Sequence, residues 1–184
     1  LRGGSRGIPG KNIKVFSGQP LFVWAALAAL KAGFEVIVST EDEAISRLVR
    51  ELTPSVSIVN RPANLATDTA STESVVNHIL DTVEIEHILL LQATSPLTTS
   101  RHLREAVDLY FSCGCRPLVS GTRKHSFFWD NNGNPLNYDP VVRPRRQDWE
   151  GTFTENGAFY IFRADEFRST NTRCNPPCTL YTME

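Results

Sequence analysis

The chain has 184 residues, of which 41% are hydrophobic, and its 19 lysines and arginines nearly balance 20 aspartates and glutamates, for a formal net charge of −1. This length supports one core of ordinary size, so we expect residues 1–184 to form a single domain. The balanced charge argues against a general attraction to nucleic acid or membranes, and the longest apolar run, Leu21 to Leu30, is too short to cross a bilayer.

Glycines and cations dominate the first dozen residues. Because glycine lets the backbone approach a ligand closely, successive N–H groups there can form an anion-binding nest, while arginine and lysine supply charge. The spacing matches neither a Walker A loop nor the G-x-G-x-x-G pattern. The sequence predicts a phosphate loop here, and a flexible basic terminus is the alternative. The candidate phosphate-binding residues are Arg2, Gly3, Gly4, Ser5, Lys11 and Asn12.

Apolar periodicity predicts helices and strands that alternate along the chain. Predicted helices cover residues 20–32, 40–52, 71–83 and 100–112, and predicted strands cover residues 35–39, 56–59, 87–92 and 117–122. Thr40 and Glu43 have the spacing of a capping box for the second helix. The succession predicts an α/β fold with a Rossmann-like, mainly parallel sheet, helices on both faces, and ligands at the carboxyl ends of the strands.

Residues 124–150 have a different character, with two extended pieces around an Asn/Gly turn and then a basic stretch broken by prolines. We expect an extension from the core sheet. Phe127, Phe128 and Trp129 would suit a subunit interface or, equally, a small satellite core under the hairpin.

The four cysteines occur as Cys113-x-Cys115 and Cys174-x-x-x-Cys178. Neither pair has the C-x-x-C spacing of a zinc site, so we expect no metal bound by this chain. Reduced thiols are typical of a cytoplasmic protein, and we expect that location.

Polar residues at the predicted strand and helix ends are candidate ligand contacts. Arg61 can pair with an anion or present donors to a base, or it can end a strand as a solvated turn. Gln92 ends an apolar strand, where its amide can bind hydroxyls or be only a loop residue. Ser71 and Thr72 stand where a helix begins and can simply cap it. Asn156 can line a cleft or form a tight turn with Gly157.

A second group of cations, Lys124 and the run Arg143-Pro144-Arg145-Arg146-Gln147, lies in and beside the extension. An arginine cannot act as a general base, so a role for Arg145 in a site would be electrostatic. The same run can serve as a nuclear localisation signal or as a solvated turn.

Five blocks in chain order resemble the acylneuraminate cytidylyltransferase family, the CMP-sialic acid synthetases. They cover nearly the whole chain. The blocks are Arg2 to Ile13, Val38 to Ile45, Arg61 to Thr72, Leu91 to Leu97, and Arg145 to Asp148 with Glu155 to Ala158.

The resemblance implies a fold of the nucleotide-diphospho-sugar transferase type and a reaction in which a sialic acid, or a related nine-carbon 2-keto sugar acid, attacks CTP and expels pyrophosphate. It also implies a homodimer or homotetramer in which the extension packs on a neighbouring protomer and helps bind the acceptor. It implies Mg²⁺ held by an Asp-x-Asp motif that members carry beyond the position of Glu184. The chain therefore resembles a member cut at both ends, since only Leu1 remains of the family's first strand.

The resemblance also assigns roles to individual residues. Arg2, Lys11 and Arg145 are implied as catalytic. Nucleotide contacts are implied for Arg2, Gly3, Gly4, Ser5, Lys11, Asn12, Arg61, Ser71 and Thr72, and sugar-acid contacts for Gln92, Lys124, Arg145, Gln147 and Asn156. The alternatives are a synthetase for legionaminic, pseudaminic or deaminated sialic acid, an inactive nucleotide-binding fragment, or a nucleic-acid module, which the balanced charge disfavours.

Overall fold

A computed structural model of the protein describes residues 1–4 and 7–184, which form five α-helices and eight β-strands. The helices are α1 (Leu21–Ala32), α2 (Glu43–Leu52), α3 (Thr72–Leu80), α4 (Ser100–Ser112) and α5 (Ala164–Thr170). The strands are β1 (Val15–Phe16), β2 (Gln19–Pro20), β3 (Ile37–Thr40), β4 (Ser57–Asn60), β5 (His87–Leu91), β6 (Leu118–Lys124), β7 (Thr152–Arg163) and β8 (Thr179–Thr182). Each helix and strand predicted between residues 20 and 122 is present, with ends shifted by a few residues.

The strands form a small hairpin of β1 and β2, a parallel pair of β3 and β4, and a four-stranded sheet in the order β5-β7-β6-β8. β3 pairs with β4, and β6 with β8, in parallel, but two of the three pairings in the four-stranded sheet are antiparallel, so that sheet is mixed where a mainly parallel one was expected. The sequence analysis did not predict β7, which runs antiparallel to β5 and β6, or the helix α5 that follows it. The polar run Glu155-Asn156-Gly157 interrupts the apolar alternation of β7, and the pairing with β6 shifts register at this point.

Helices cover both faces of the larger sheet, as predicted. Alternate side chains of β7 point to opposite faces, so Phe159 and Ile161 join a cluster with α1 and α4. Tyr160 and Phe162 join a second cluster with α3 and α5. Phe159 is fully buried. The strand missed by the sequence analysis thus lies in the centre of the core.

The start of α2 differs from the expected capping box. Asp42, and not Thr40, is the N-cap residue, and its carboxylate accepts hydrogen bonds from the backbone N–H groups of Ala44 and Ile45 at 2.8 and 3.0 Å. Thr40 is the buried last residue of β3. The predicted cap at Thr40 is wrong because β3 continues one residue further than expected and moves the helix start along the chain.

A groove of ≈ 470 Å³ lies between β3 and β5. Aliphatic side chains dominate its lining, among them Ala29, Val38, Ile79 and Leu90. At one end the Leu1 amine donates to the Ser39 carbonyl at 2.6 Å. The groove therefore leads to the edge where β3 ends and the glycine-rich loop begins.

Among the described residues, no helix combines the length and apolar character needed to span a membrane.

Candidate functional site

The predicted phosphate loop lies directly beyond the carboxyl end of β3. The Gly3 N–H donates to Glu41 Oε1 at 2.8 Å, so this N–H is engaged by a carboxylate and is not open to an anion. Gly3 has no room for a side chain, since a Cβ there would lie 2.1 Å from Asp42 Oδ2. Around a Cβ built on Gly4, no described atom outside its own chain neighbours lies within 4 Å. Ser5, the next candidate in the loop, lies outside the described residues.

Arg2 and Lys11 supply positive charge to this loop. The Arg2 guanidinium donates to the Thr67 carbonyl at 2.8 Å and pairs with Asp68 at 3.0 Å. The Asn12 amide donates to the Arg2 carbonyl at 2.8 Å and so fixes the backbone of the loop. Lys11 is half-buried in a 3-10 turn, and no partner for its ammonium is present in the part of the chain that the structure describes. Lys11 is therefore available to an incoming anion.

Arg61 follows β4 and packs against the end of β3. Its guanidinium donates to the Ser39 hydroxyl at 3.2 Å and to the Ser39 carbonyl at 2.9 Å. Burial, followed by the charge of Arg2, lowers the pKa of Arg61, whereas Glu41 raises it. The side chain is therefore not a solvated turn. A guanidinium has five N–H groups, so donors remain for a ligand.

Ser71 and Thr72 lie at the start of α3. The Ser71 hydroxyl accepts a hydrogen bond from the Ser74 N–H at 3.0 Å, which makes Ser71 the N-cap residue. Thr72 is the first residue of the helix. The capping alternative for Ser71 is confirmed, and its hydroxyl keeps a lone pair and a proton for a second partner.

Gln92 and Asn156 meet around Ala158. The Gln92 N–H donates to the Ala158 carbonyl at 2.9 Å, and Asn156 Oδ1 accepts from the Ala158 N–H at 3.0 Å. Asn156 Oδ1 also accepts from the Ser120 hydroxyl at 2.9 Å. Gly157 has a φ of +66° where the pairing of β7 with β6 shifts register, so Asn156 lies at an irregularity within β7 and not in the tight turn that was its alternative role. Its carbonyl oxygen is thus committed to the fold.

This pair belongs to the same edge as the phosphate loop. Ala93, which follows Gln92, packs against the buried cluster that includes Val38 of β3, as does Leu1. The ends of β3 and β5 therefore meet, as expected for a site at the carboxyl ends of strands.

The cations of the extension make local contacts. Lys124 is the exposed last residue of β6 and lies opposite Thr152. Arg145 pairs with Asp148, three residues further on, and its side chain is 74% exposed. Gln147 lies in an exposed 3-10 turn, Arg146–Asp148, that directly follows Arg145. The structure therefore does not bring these residues into hydrogen-bond contact with the phosphate loop within the described residues.

The extension contains an aromatic cluster and an exposed apolar surface. Phe127 stacks on Trp149 with ring centroids 5.0 Å apart, and the Arg143 guanidinium lies 4.5 Å from the Phe127 centroid. These contacts form a satellite core. Large apolar side chains around it remain exposed, namely Phe128, Trp129, Leu136, Val141 and Val142. Both alternatives for this region thus have a counterpart in the structure.

The four cysteines are free thiols. Burial raises the pKa of the Cys174 thiol to about 11, and that of Cys178 in the same direction. Within the described ranges, no group of three or more His, Cys, Asp or Glu side chains is placed to hold a metal ion. The described residues therefore do not provide a Mg²⁺ site.

Glu41 and Asp42 are contacts of the loop that the sequence analysis did not single out. One carboxylate oxygen of Glu41 accepts from Gly3, and the other is buried without a hydrogen-bond partner in the described part of the chain. Their signal was available, since two consecutive carboxylates directly follow a predicted strand at the edge where ligands are expected.

The profile of the cytidylyltransferase family matches residues 1–175. The chain belongs to this family. Among the curated relatives of this chain, N-acylneuraminate cytidylyltransferase A of Danio rerio is 36% identical over 181 residues, which cover 89% of this chain and 40% of the relative. The enzyme of the same name from Oncorhynchus mykiss is 38% identical over 171 residues (88% and 39%), and that of Streptococcus agalactiae serotype V is 32% identical over 177 (90% and 42%). The predicted resemblance is confirmed, and the chain spans less than half the length of these relatives.

Solved structures show the same fold as this chain. A CMP:2-keto-3-deoxy-manno-octonic acid synthetase complexed with CTP superposes with a TM-score of 0.68 at 17% identity, covering 92% of this chain and 74% of that chain. A 4-diphosphocytidyl-2C-methyl-D-erythritol synthase from Anaerococcus prevotii gives 0.63 at 10% identity, covering 88% and 69%. The predicted fold class is confirmed.

Proposed function

We propose that the protein transfers a cytidylyl group from CTP to a sialic acid or a related nine-carbon 2-keto sugar acid, forming the CMP-sugar and pyrophosphate. The observation that carries the proposal is the convergence of Arg2 and Arg61 beside the ends of β3 and β4, in a chain whose relatives are N-acylneuraminate cytidylyltransferases. The same site would serve legionaminic, pseudaminic or deaminated sialic acid.

In this reaction the anomeric hydroxyl of the sugar acid loses its proton and forms a bond to the α-phosphorus, while the bond from that phosphorus to the pyrophosphate oxygen breaks. Both substrates are anions, so catalysis depends on positioning and on fixed positive charge. We assign Arg2 and Lys11 to the triphosphate, where they stabilise charge on the leaving group. The backbone of Gly4 lies beneath it in this assignment, Ser5 remains a predicted contact, and Asn12 and Glu41 hold the loop in shape.

The nucleoside and sugar acid occupy the two sides of this loop in our proposal. Arg61, Ser71 and Thr72 contact the cytidine portion, and Gln92 and Asn156 border the acceptor. The extension, residues 124–150, supplies Lys124, Arg145 and Gln147 to bind the sugar carboxylate. Because Arg145 is exposed on that extension, the acceptor subsite it completes would belong to a neighbouring protomer of a homodimer or homotetramer. The exposed Trp129, Val141 and Val142 support an interface at this surface.

Dependence on Mg²⁺ is part of the proposal and rests on the family resemblance. We also propose a cytoplasmic location, or a nuclear one in a eukaryote if the Arg143–Arg146 run acts as a targeting signal.

Pyrophosphate release provides the direct test of the reaction. We expect the product of the whole reading frame to release pyrophosphate from CTP only when a 2-keto sugar acid and a divalent ion are both present. Each of the other nucleoside triphosphates, omission of the acceptor, and EDTA serve as controls. A strong preference for ATP or GTP, or turnover without an acceptor, would contradict the proposal.

Arg145 and Arg143 form a matched pair for testing the acceptor site. Lysine keeps the charge of arginine but loses the planar fork that fits a carboxylate. We expect Arg145→Lys to raise KM for the sugar acid by roughly 10-fold at saturating CTP. Arg143→Ala should have little effect on kinetics, since Arg143 packs on Phe127 and contributes an exposed cation–π contact of about 0.5–1 kcal/mol. An Arg145→Lys enzyme with wild-type kinetics would remove Arg145 from the site.

A further inference from the structure

A charged cluster outside the phosphate loop joins three distant parts of the chain. Arg173 lies between α5 and β8, and its guanidinium pairs with Glu73, the second residue of α3. The two side chains are only 25% and 22% exposed. The same guanidinium lies over the Tyr160 ring, 4.6 Å from its centroid. A planar arginine held by a carboxylate on one side and an aromatic face on another has a fixed orientation.

The cluster continues to the polar run Glu155-Asn156-Gly157 of β7. The Tyr160 hydroxyl donates to Glu155, the residue before Asn156. Burial, followed by this hydrogen bond, raises the pKa of Tyr160. Glu73, Arg173, Tyr160 and Glu155 thus form one continuous set of contacts from the start of α3 to β7, on the face of the sheet covered by α3 and α5.

The start of α3 is connected in turn to the phosphate loop. Ser71 caps the helix, and the segment before it carries Thr67 and Asp68, which hold the Arg2 guanidinium. A shift of the first turn of α3 would therefore move the groups that orient Arg2. Glu73 lies in that first turn, so its ion pair with Arg173 restrains the part of α3 that adjoins the loop.

The opposite end of α3 is held by a second arginine. Arg168 of α5 pairs with Asp81 at 3.1 Å and donates to the Leu80 carbonyl at 2.6 Å. Both arginines therefore fasten the same helix, but only Arg173 fastens the end next to Arg2. This arrangement provides a comparison within one helix.

We propose that Arg173 is a positioning residue for nucleotide binding. Through Glu73 it fixes the first turn of α3 and the segment of Thr67 and Asp68, and thereby the orientation of Arg2 toward the triphosphate. This role rests on the proposed function, since it requires that the loop binds CTP. Arg173 does not itself touch the nucleotide.

Steady-state kinetics of Arg173→Gln and Arg168→Gln, with varied CTP at saturating sugar acid, test this role. We expect Arg173→Gln to raise KM for CTP by roughly 10-fold and to lower kcat as well, because a displaced Arg2 weakens both nucleotide binding and stabilisation of the leaving group. Arg168→Gln should leave KM for CTP within about twofold of wild type. Both variants lose an ion pair of the same helix, so thermal unfolding should report a lower midpoint for each. The Kd for CTP measured by calorimetry should change in parallel with KM.

Equal values of KM for CTP in the two variants would overturn the positioning role, since loss of helix stability alone would then explain both. If Arg173→Gln does not fold, Glu73→Gln removes the same charge pair with an isosteric side chain and should show the same rise in KM. A wild-type protein that neither binds nor turns over CTP would instead refute the proposed function, and the role of Arg173 with it. Normal wild-type turnover with unaffected Arg173→Gln and Glu73→Gln refutes the positioning role alone.

Discussion

Substitution of Arg2 or Lys11 by alanine is expected to reduce kcat/KM for CTP by roughly 100-fold or more, because a preorganised charge at a phosphoryl site contributes about 3 kcal/mol. Arg2 is held in place by Asp68 and the Thr67 carbonyl, and the Lys11 ammonium is available to an anion. The measurement is pyrophosphate release with varied CTP. Both side chains are at least partly exposed, so we expect circular dichroism to show an intact fold.

Arg47→Ala is the matched control, since Arg47 is an exposed arginine on the middle of α2 and away from the loop. It should retain wild-type kinetics. If Arg2→Ala or Lys11→Ala also retained them in a folded protein, the first residues would be a basic terminus without a role in phosphate binding.

Alanine at Gly3 is expected to damage both the loop and the start of α2. The new Cβ would lie 2.1 Å from Asp42 Oδ2, so either the loop leaves Glu41 or Asp42 leaves its cap position. Loss of an N-cap lowers the free energy of unfolding by about 1 kcal/mol. Displacement of the loop should also lower kcat/KM for CTP by roughly 10-fold or more, because the loop carries Arg2. Chemical denaturation and kinetics of one preparation measure the two effects.

Gly4→Ala separates steric conflict from a general intolerance of side chains in the loop. Among the described residues, no atom outside its own chain neighbours lies within 4 Å of its Cβ position, so the free energy of unfolding of Gly4→Ala should stay within about 0.5 kcal/mol of that of the wild type. Equal stability of the two alanine variants would contradict the close approach of Gly3 to Asp42.

The sequence predicted elements with local signals well. Gly33 ends α1 in the left-handed conformation, as its place after an apolar run indicated, and α4 occupies the predicted residues 100–112. β7 was missed because the polar run at Asn156 interrupts its apolar alternation. The strand forms only through its pairing with β5 and β6. Only tertiary pairing makes that segment a central strand.

The candidate site likewise has residues that the sequence predicted and contacts that it did not. Composition and the family resemblance identified the cations Arg2, Lys11 and Arg61, and the structure places Arg2 and Arg61 beside the end of β3. The partners that hold them could not be read from the sequence, because Glu41 meets Gly3 across 38 positions and Glu73 meets Arg173 across 100. No local pattern encodes which of many surface carboxylates a given donor will contact.

The bonds that hold the first three residues determine when the glycine loop loses its conformational freedom. Leu1 is hydrogen-bonded to the Ser39 carbonyl, the Arg2 carbonyl to Asn12, and the Gly3 N–H to Glu41. This glycine-rich segment is therefore fixed as the domain folds. The entropy of ordering, about 1–2 kcal/mol for each residue's backbone, is therefore lost on folding and not again when a ligand binds. Ligand affinity and stability of the fold are linked as a result. Substitutions at the end of β3 that loosen this segment would weaken binding without touching the ligand.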